Sequence, residues 1–284
     1  MGLKTCTLSN GIELIVYEHH RAPVVMFVTC FHVESADEAW GHTGMAYFLE
    51  HLMFKGTPNN YPTGTFDKLM KKCGVVIGER ISYDFTYFWV YLSKENLETY
   101  MKVFVDYLAH LSITPEEFEK EQHFILQEFR DRTTQDDDML QSCAFEILFA
   151  NHPYQREIIG VESEVQKTSL EEIHQFRKTH YVPKAMTIVV VGDISSEEAR
   201  IIAEKYYGPL NGPDPLPRQW PQILPRQGEK VRLTKESDQV KLSGLVFYFR
   251  IPRFARRSSK GGCHGIVCKM ISERKDELSL PAAC

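Results

Sequence analysis

The sequence predicts an α+β fold in which helices pack on a mostly antiparallel sheet, and three observations carry that expectation. β-rich runs mix with long helical stretches without regular strand–helix alternation. Asn10-Gly11 separates two such runs at the spacing of a two-residue hairpin. The 284 residues are 43% hydrophobic and 25% charged, enough to bury a core in one large or two modest domains. That balance excludes a disordered, collagen-like or coiled-coil chain. The net charge of −5, with no basic stripe, argues against a nucleic-acid partner. No apolar run reaches the ~18 residues of a membrane span.

The elements follow in order. Lys4–Leu8 and Ile12–Tyr17 flank the hairpin signal, and Pro23–Val33 reads as a third strand because Val24, Val25, Phe27 and Val28 favour a pleated surface. A helix covers about Gly44–Lys55 and a short one Thr65–Lys72. Tyr83–Leu92 is aromatic and β-branched, a further strand. Glu95–Leu111 is an amphipathic helix. Thr114-Pro115-Glu116-Glu117 opens the next with an N-cap, a first-turn proline and a capping-box glutamate. Helices fit Met139–Phe149, Leu170–His180 and Ser196–Tyr207, with the strand Met186–Val191 between the last two.

Six of the fourteen prolines fall between 209 and 225. A proline-rich backbone is stiff and extended, so 209–228 reads as a linker after a first domain over 1–208. Residues 229–252 then begin a second, incomplete domain with strands at Lys230–Lys235 and Val240–Ile251. Residues 253–284 hold seven Lys/Arg and three Asp/Glu without clear periodicity, an irregular basic tail that resembles the end of a truncated reading frame. The seven cysteines form no tight framework and read as free thiols of a reducing compartment; Cys263, His264 and Cys268 lack the second pair a zinc knuckle needs. The start lacks a signal-peptide core, which places the chain in the cytoplasm, or in the periplasm or an organelle if a leader has been removed.

Chemistry concentrates on two helices. Within Gly44–Lys55 the apolar residues point in nearly every direction, so the helix is buried, and Tyr47, Glu50 and His51 share one face. A buried carboxylate beside an imidazole needs a cation or a hydrogen-bond partner; a histidine bonded to its neighbouring glutamate also satisfies that need. On the helix from Thr114, taking Phe118 as 0°, Ile125 lies near −20°, Phe129 near +20°, Glu121 near −60° and Glu128 near −80° at about 100° per residue. Two carboxylates inside an apolar arc, two turns apart, are inward groups that call for a metal or an arginine. Oxygen and nitrogen ligands pointing to one core suit zinc.

Residues Gly44 to Thr57 resemble the inverted zinc motif region, H-x-x-E-H, of the pitrilysin/insulinase metallopeptidases, which include mitochondrial processing peptidase. In that family 76 residues separate the motif from a third-ligand glutamate, and 76 residues separate His51 from Glu128. Glu121 matches a second glutamate that supports the site. Leu8-Ser9-Asn10-Gly11, His20 to Val24, Tyr83-Asp84-Phe85-Thr86 and Val190-Val191-Gly192-Asp193 extend the match over about residues 3–252. The resemblance implies a pitrilysin/insulinase-type α+β domain that pairs with a second domain of similar fold around a peptide chamber. It also implies one zinc ion, with His51 and Glu128 as ligands, Glu50 as general base and Glu121 supporting them. The substrate would be a peptide or unfolded polypeptide, with a family subunit as partner in a homo- or hetero-oligomer.

The departures are specific. Tyr47 stands where the first histidine ligand belongs; a phenol must lose its proton, of pKa ~10, before it can bind zinc. His42, just before the helix, has the wrong spacing to replace it. Gly78-Glu79 stands where the family has Asn-Ala, on the edge strand that pairs with the substrate backbone. The arginine–tyrosine pair of the family's second half lies beyond this chain. The expected reading is a zinc metalloendopeptidase homologue that is catalytically impaired. The alternatives are an active peptidase completed by a partner subunit, and a non-catalytic subunit that binds peptides or a partner.

Overall fold

In the computed structural model, residues 2–58, 60–133, 136–218, 243–252 and 264–273 are described. Asn10-Gly11 turns the chain between β1 (Leu3–Thr7) and β2 (Glu13–Glu18), which pair antiparallel with Leu3 opposite Tyr17. Gly11 sits at φ +94°, where a β-carbon would cost roughly 1–2 kcal/mol. The Asn10 amide donates to the carbonyls of Tyr207 (2.8 Å) and Leu210 (3.0 Å), tying the turn to the far end of the domain. β3 (Val24–Phe31) alternates, with Val25, Phe27, Thr29 and Phe31 buried. It stops before the expected Val33 because the chain enters a short 3-10 turn at Ser35–Asp37.

α1 (Met45–Leu52) and α2 (Thr65–Lys72) follow, then β4 (Val76–Ile81) and β5 (Thr86–Ser93). The fifth strand was expected from Tyr83 and starts at Thr86. Ser82 explains the delay: its hydroxyl accepts from the amides of Asp84 and Phe85, both at 3.2 Å, and folds this stretch into a turn. The long helix α3 (Leu97–His110) precedes α4 (Pro115–Thr133). The Thr114–Glu117 capping box forms as expected, with Glu117 N on Thr114 Oγ1 at 3.2 Å and Thr114 N on Glu117 Oε2 at 2.9 Å. Then come α5 (Asp136–Leu148), the four-residue α6 (Glu162–Val165), α7 (Leu170–His180), β6 (Met186–Gly192) and α8 (Ser196–Tyr207).

The six strands form one sheet in the order β1-β2-β6-β3-β5-β4. Only the β2–β6 pair among them is parallel, so the sheet is mostly antiparallel. Phe88, Val90 and Leu92 of β5 are buried, whereas Tyr91 is 47% exposed. The helices cover the buried face. Phe48 of α1 and Phe118 of α4 stack with 4.8 Å between ring centroids. Such a pair adds roughly 0.5–1.5 kcal/mol to the burial of both rings and sets α1 against α4. β4, carrying Gly78 and Glu79, is the sheet's edge. The Trp89 indole lies over Gly78, where a β-carbon would meet it at 2.3 Å.

Beyond α8, Arg218 of the proline-rich segment folds back and holds Asp37 with Nε at 2.7 Å and Nη2 at 2.6 Å. The strand expected at Lys230–Lys235, Cys263 and residues 274–284 lie outside the described residues. The strand expected at Val240–Ile251 appears as β7 (Ser243–Pro252), and it pairs antiparallel with β8 (His264–Glu273). That corrects the expectation of an irregular tail for residues 264–273. Ile266, Val267 and Ile271 favour a strand, and pairing with β7 supplies the ladder that local periodicity alone does not signal.

Two predictions follow from this architecture. Glu18 Oε1 accepts from Ser196 N (2.8 Å) and Ser196 Oγ (2.5 Å) at the start of α8, and from Lys4 Nζ (3.1 Å). Those bonds, the Ser196 hydroxyl first, lower the Glu18 carboxyl from 4.5 to about 2. A depressed folded value gives stability that is present above pH 4.5 and lost as pH falls toward 2. Denaturant unfolding of Glu18→Gln and the parent should therefore show a stability gap at pH 5 that narrows steadily toward pH 3. The second concerns Gly160, at φ +93°, where a β-carbon would lie 2.6 Å from Gly44 N. Gly160→Ala should cost about 2–4 kcal/mol in the same measurement, combining strain and overpacking.

Candidate active site

The site begins with the start of α1. Gly44 enters the helix at φ +82°, and a β-carbon there would meet Ile159 O at 2.6 Å, so the helix start is pressed against the 159–160 backbone. The Glu38 carboxylate reaches the first turn, accepting from Gly44 N at 2.9 Å and Ala46 N at 2.8 Å. It satisfies two of the amides that every helix leaves unpaired. Glu38 is buried, and burial pushes its carboxyl up to about 7 against the pull of those two bonds and of Arg156. The Arg156 guanidinium also donates to the Ser35 and Glu38 carbonyls, both at 2.9 Å. Thr43, next to Gly44, donates its amide and hydroxyl to Glu164 at 2.9 and 2.6 Å.

Fixed in this way, α1 turns Tyr47, Glu50 and His51 toward α4. The structure brings the five expected residues together. His51 Nε2 lies 3.9 Å from Glu50 Oε2 and 4.0 Å from Glu128 Oε2, and His51 Nδ1 lies 3.4 Å from Glu121 Oε2. The Tyr47 and His51 rings are 4.9 Å apart. The Tyr47 hydroxyl donates to the Glu128 carboxylate, with both oxygens at 2.7 Å. Burial first, then the bond to Glu128 and its charge, pushes the phenol well above the usual tyrosine range. Burial, then the charges of Glu79 and Glu128, raises Glu50 to about 7. Glu79 itself is exposed on β4.

Two cations that the motif did not assign complete the cluster. Lys55 Nζ bonds to Glu121 Oε1. Arg132 donates to Glu128 Oε1 with Nε at 3.2 Å and Nη2 at 2.9 Å, and lies over the Tyr47 ring at 5.6 Å. Both stand four residues beyond a site residue on the same helix, or just past its end, the spacing that brings side chains together. His42 takes no part; its Nδ1 is 3.1 Å from Glu172 Oε1.

The donor set does not fit a catalytic zinc ion. Such a centre takes three protein ligands and keeps a fourth position open. Here the candidate third ligand is a protonated phenol whose proton is directed at Glu128, and Glu128 is further engaged by Arg132. Among the described residues no group of three His, Cys, Asp or Glu side chains is arranged to hold a metal ion. A carboxyl suited to proton transfer is still in place: Glu50, raised to about 7 by burial, lies 3.9 Å from His51 Nε2.

Comparison with known proteins agrees with the geometry of the fold. Residues 14–162 match the family model described as insulinase (peptidase family M16), and residues 167–261 the model described as peptidase M16 inactive domain. The chain is 28% identical over 257 residues to the zinc protease PqqE of Helicobacter pylori, covering 89% of this chain and 58% of that one. It is 30% identical over 261 residues to the probable zinc protease PqqL of Escherichia coli, covering 88% of this chain and 28% of the relative. A solved structure of a protease from Helicobacter pylori superposes with a TM-score of 0.80 at 28% identity, covering 90% of this chain and 62% of that one. The chain thus spans between about a quarter and three-fifths of these relatives. An α1–α4 cluster of this composition, on this sheet, with these two family matches, has one reading: the chain belongs to the insulinase family of peptidases, peptidase family M16.

Proposed function

We propose that this chain is a zinc-metalloendopeptidase homologue whose peptide-cleaving chemistry is impaired, and that it acts as a peptide-binding member of the family. One observation carries the reading. Tyr47 stands at the first-ligand position and donates a hydrogen bond from its hydroxyl to Glu128 at 2.7 Å, so the two groups that would both hold a metal hold each other. A phenolate there would require the metal to drive deprotonation of a phenol already pushed upward by burial. His51 and Glu128 remain as two ligands where a catalytic site uses three.

The other groups keep their places. Glu50, its carboxyl raised to about 7 by burial, lies 3.9 Å from His51 Nε2, and Glu121 Oε2 lies 3.4 Å from the opposite ring nitrogen. In an active relative, zinc would supply Lewis-acid polarisation of the scissile carbonyl. β4 offers an open strand edge beside this cluster, with Val76 58% exposed. An open edge binds an extended peptide through main-chain hydrogen bonds, which favours a peptide or unfolded polypeptide as ligand. Glu79 on that edge adds negative charge. A family subunit as partner, in a homo- or hetero-oligomer, would supply the arginine–tyrosine pair the resemblance assigns to a second half. No helix among the described residues is long and apolar enough to cross a membrane.

Zinc titration at neutral pH tests the reading. Tyr47→His places a neutral nitrogen donor one turn from His51, so zinc affinity should rise by about an order of magnitude or more. Tyr47→Phe should change it little. A parent chain that binds one zinc as tightly as Tyr47→His, with binding abolished in Tyr47→Phe, would make the tyrosine a true ligand and overturn the proposal. Cleavage of a quenched fluorescent peptide by the purified chain with added zinc should stay at background; zinc-dependent turnover that an active-site glutamate variant, Glu50→Gln, removes would count against impairment.

A further inference from the structure

Each carboxylate that α4 sends inward meets a cation of the protein. Lys55 serves Glu121, and Arg132 serves Glu128. The second pair is the informative one. The side chains of Arg132 and Glu128 are 39% and 36% exposed, and an i,i+4 surface pair of that exposure is ordinarily worth little. This pair is more than that. Two guanidinium nitrogens converge on the single oxygen Glu128 Oε1, at 3.2 and 2.9 Å. The same guanidinium lies over the Tyr47 ring, with Nη2 3.4 Å from the phenol oxygen. Arg132 therefore clasps both the inward carboxylate and the residue in the first-ligand position.

A divalent ion held by His51 and Glu128 would compete with Arg132 and Tyr47 for the Glu128 oxygens. Its charge would also lie within a few ångströms of the guanidinium, in a half-buried site where repulsion is poorly screened. The carboxylate needs no metal to be neutralised, because the chain supplies its own positive charge. We propose that Arg132 is a built-in counter-ion which, by holding Glu128 and stacking on Tyr47, closes this site to divalent cations. The inference rests on the reading of Tyr47 as a lost ligand and extends it: restoring a histidine at position 47 recovers only part of the affinity while Arg132 stays in place.

The test is a factorial set in the full chain: parent, Tyr47→His, Arg132→Gln and the double variant, with Arg132→Lys in both backgrounds. Each is titrated with Co²⁺ alone at pH 7, read from the visible absorption of the bound ion and checked by Zn²⁺ competition, with thermal unfolding confirming the fold. Arg132→Gln should tighten Co²⁺ binding roughly tenfold or more in the Tyr47→His background, and to a smaller extent in the parent. Arg132→Lys keeps the charge but loses the two-nitrogen clasp and the stacking, so it should tighten binding clearly less than Arg132→Gln. Unchanged affinity on Arg132→Gln in both backgrounds overturns the inference, as does an equal rise with Arg132→Lys. The Tyr47 reading fails separately, when Tyr47→His gives no gain whichever residue occupies position 132. The parent-background comparison of Gln with Lys stands alone if the double variant does not fold.

Discussion

Burying α1 on nearly all its sides is the constraint that the rest of the domain answers. Met45, Ala46, Phe48, Leu49 and Leu52 are each 9% exposed or less. Full burial of side chains such as Phe48, Leu49 and Leu52 contributes roughly 1.5–3 kcal/mol apiece. The same burial would strand the helix's first amides, and a buried amide without a partner costs about 1–3 kcal/mol. Glu38 removes that cost by accepting from Gly44 and Ala46, and Arg156 in turn ties down the Glu38 carbonyl. Two glycines, Gly44 and Gly160, permit the backbone approach that seats this end of the helix. The direction in which Tyr47, Glu50 and His51 point is a consequence of that anchoring.

The polar face so delivered is an electrostatic problem in its own right. Glu50, Glu121 and Glu128 converge on one imidazole, and three like charges there would repel. The protein's own groups offset that repulsion. Lys55 neutralises Glu121, Arg132 and the Tyr47 hydroxyl engage Glu128, and Glu50 shifts toward the neutral form. A tyrosine in place of a ligand thus fits its surroundings as a hydrogen-bond donor of good geometry. Family membership does not fix the chemistry, because the fold depends on α1's apolar residues and its cap, whereas metal binding would depend on one polar face.

Periodicity made much of this visible in the sequence. α7 and α8 begin and end where their capping and apolar spacing place them, at Leu170–His180 and Ser196–Tyr207. The inward arc of Glu121 and Glu128 follows from 3.6 residues per turn. Arg132 carried a signal too, four residues after Glu128, but so does every solvated ion pair on a helix. Ser82 carried one for the late start of β5, since a serine hydroxyl competes with the ladder for local amides.

By itself the sequence determined most of the long helices and the central strands, though not β4, α6 or β8, together with the burial of α1 and the inward facing of two carboxylates of α4. All of these are local properties of side-chain pattern and capping. Tertiary structure decided the rest: that β6 inserts between β2 and β3, parallel to β2 and antiparallel to β3, that β4 ends the sheet, and that the Tyr47 hydroxyl donates its hydrogen bond to Glu128 across 81 residues. The reason is physical. A pattern of period 3.6 or 2 tells which face of an element is apolar, but which partner satisfies a buried polar atom is set by contacts that only the packed chain brings within 3 Å.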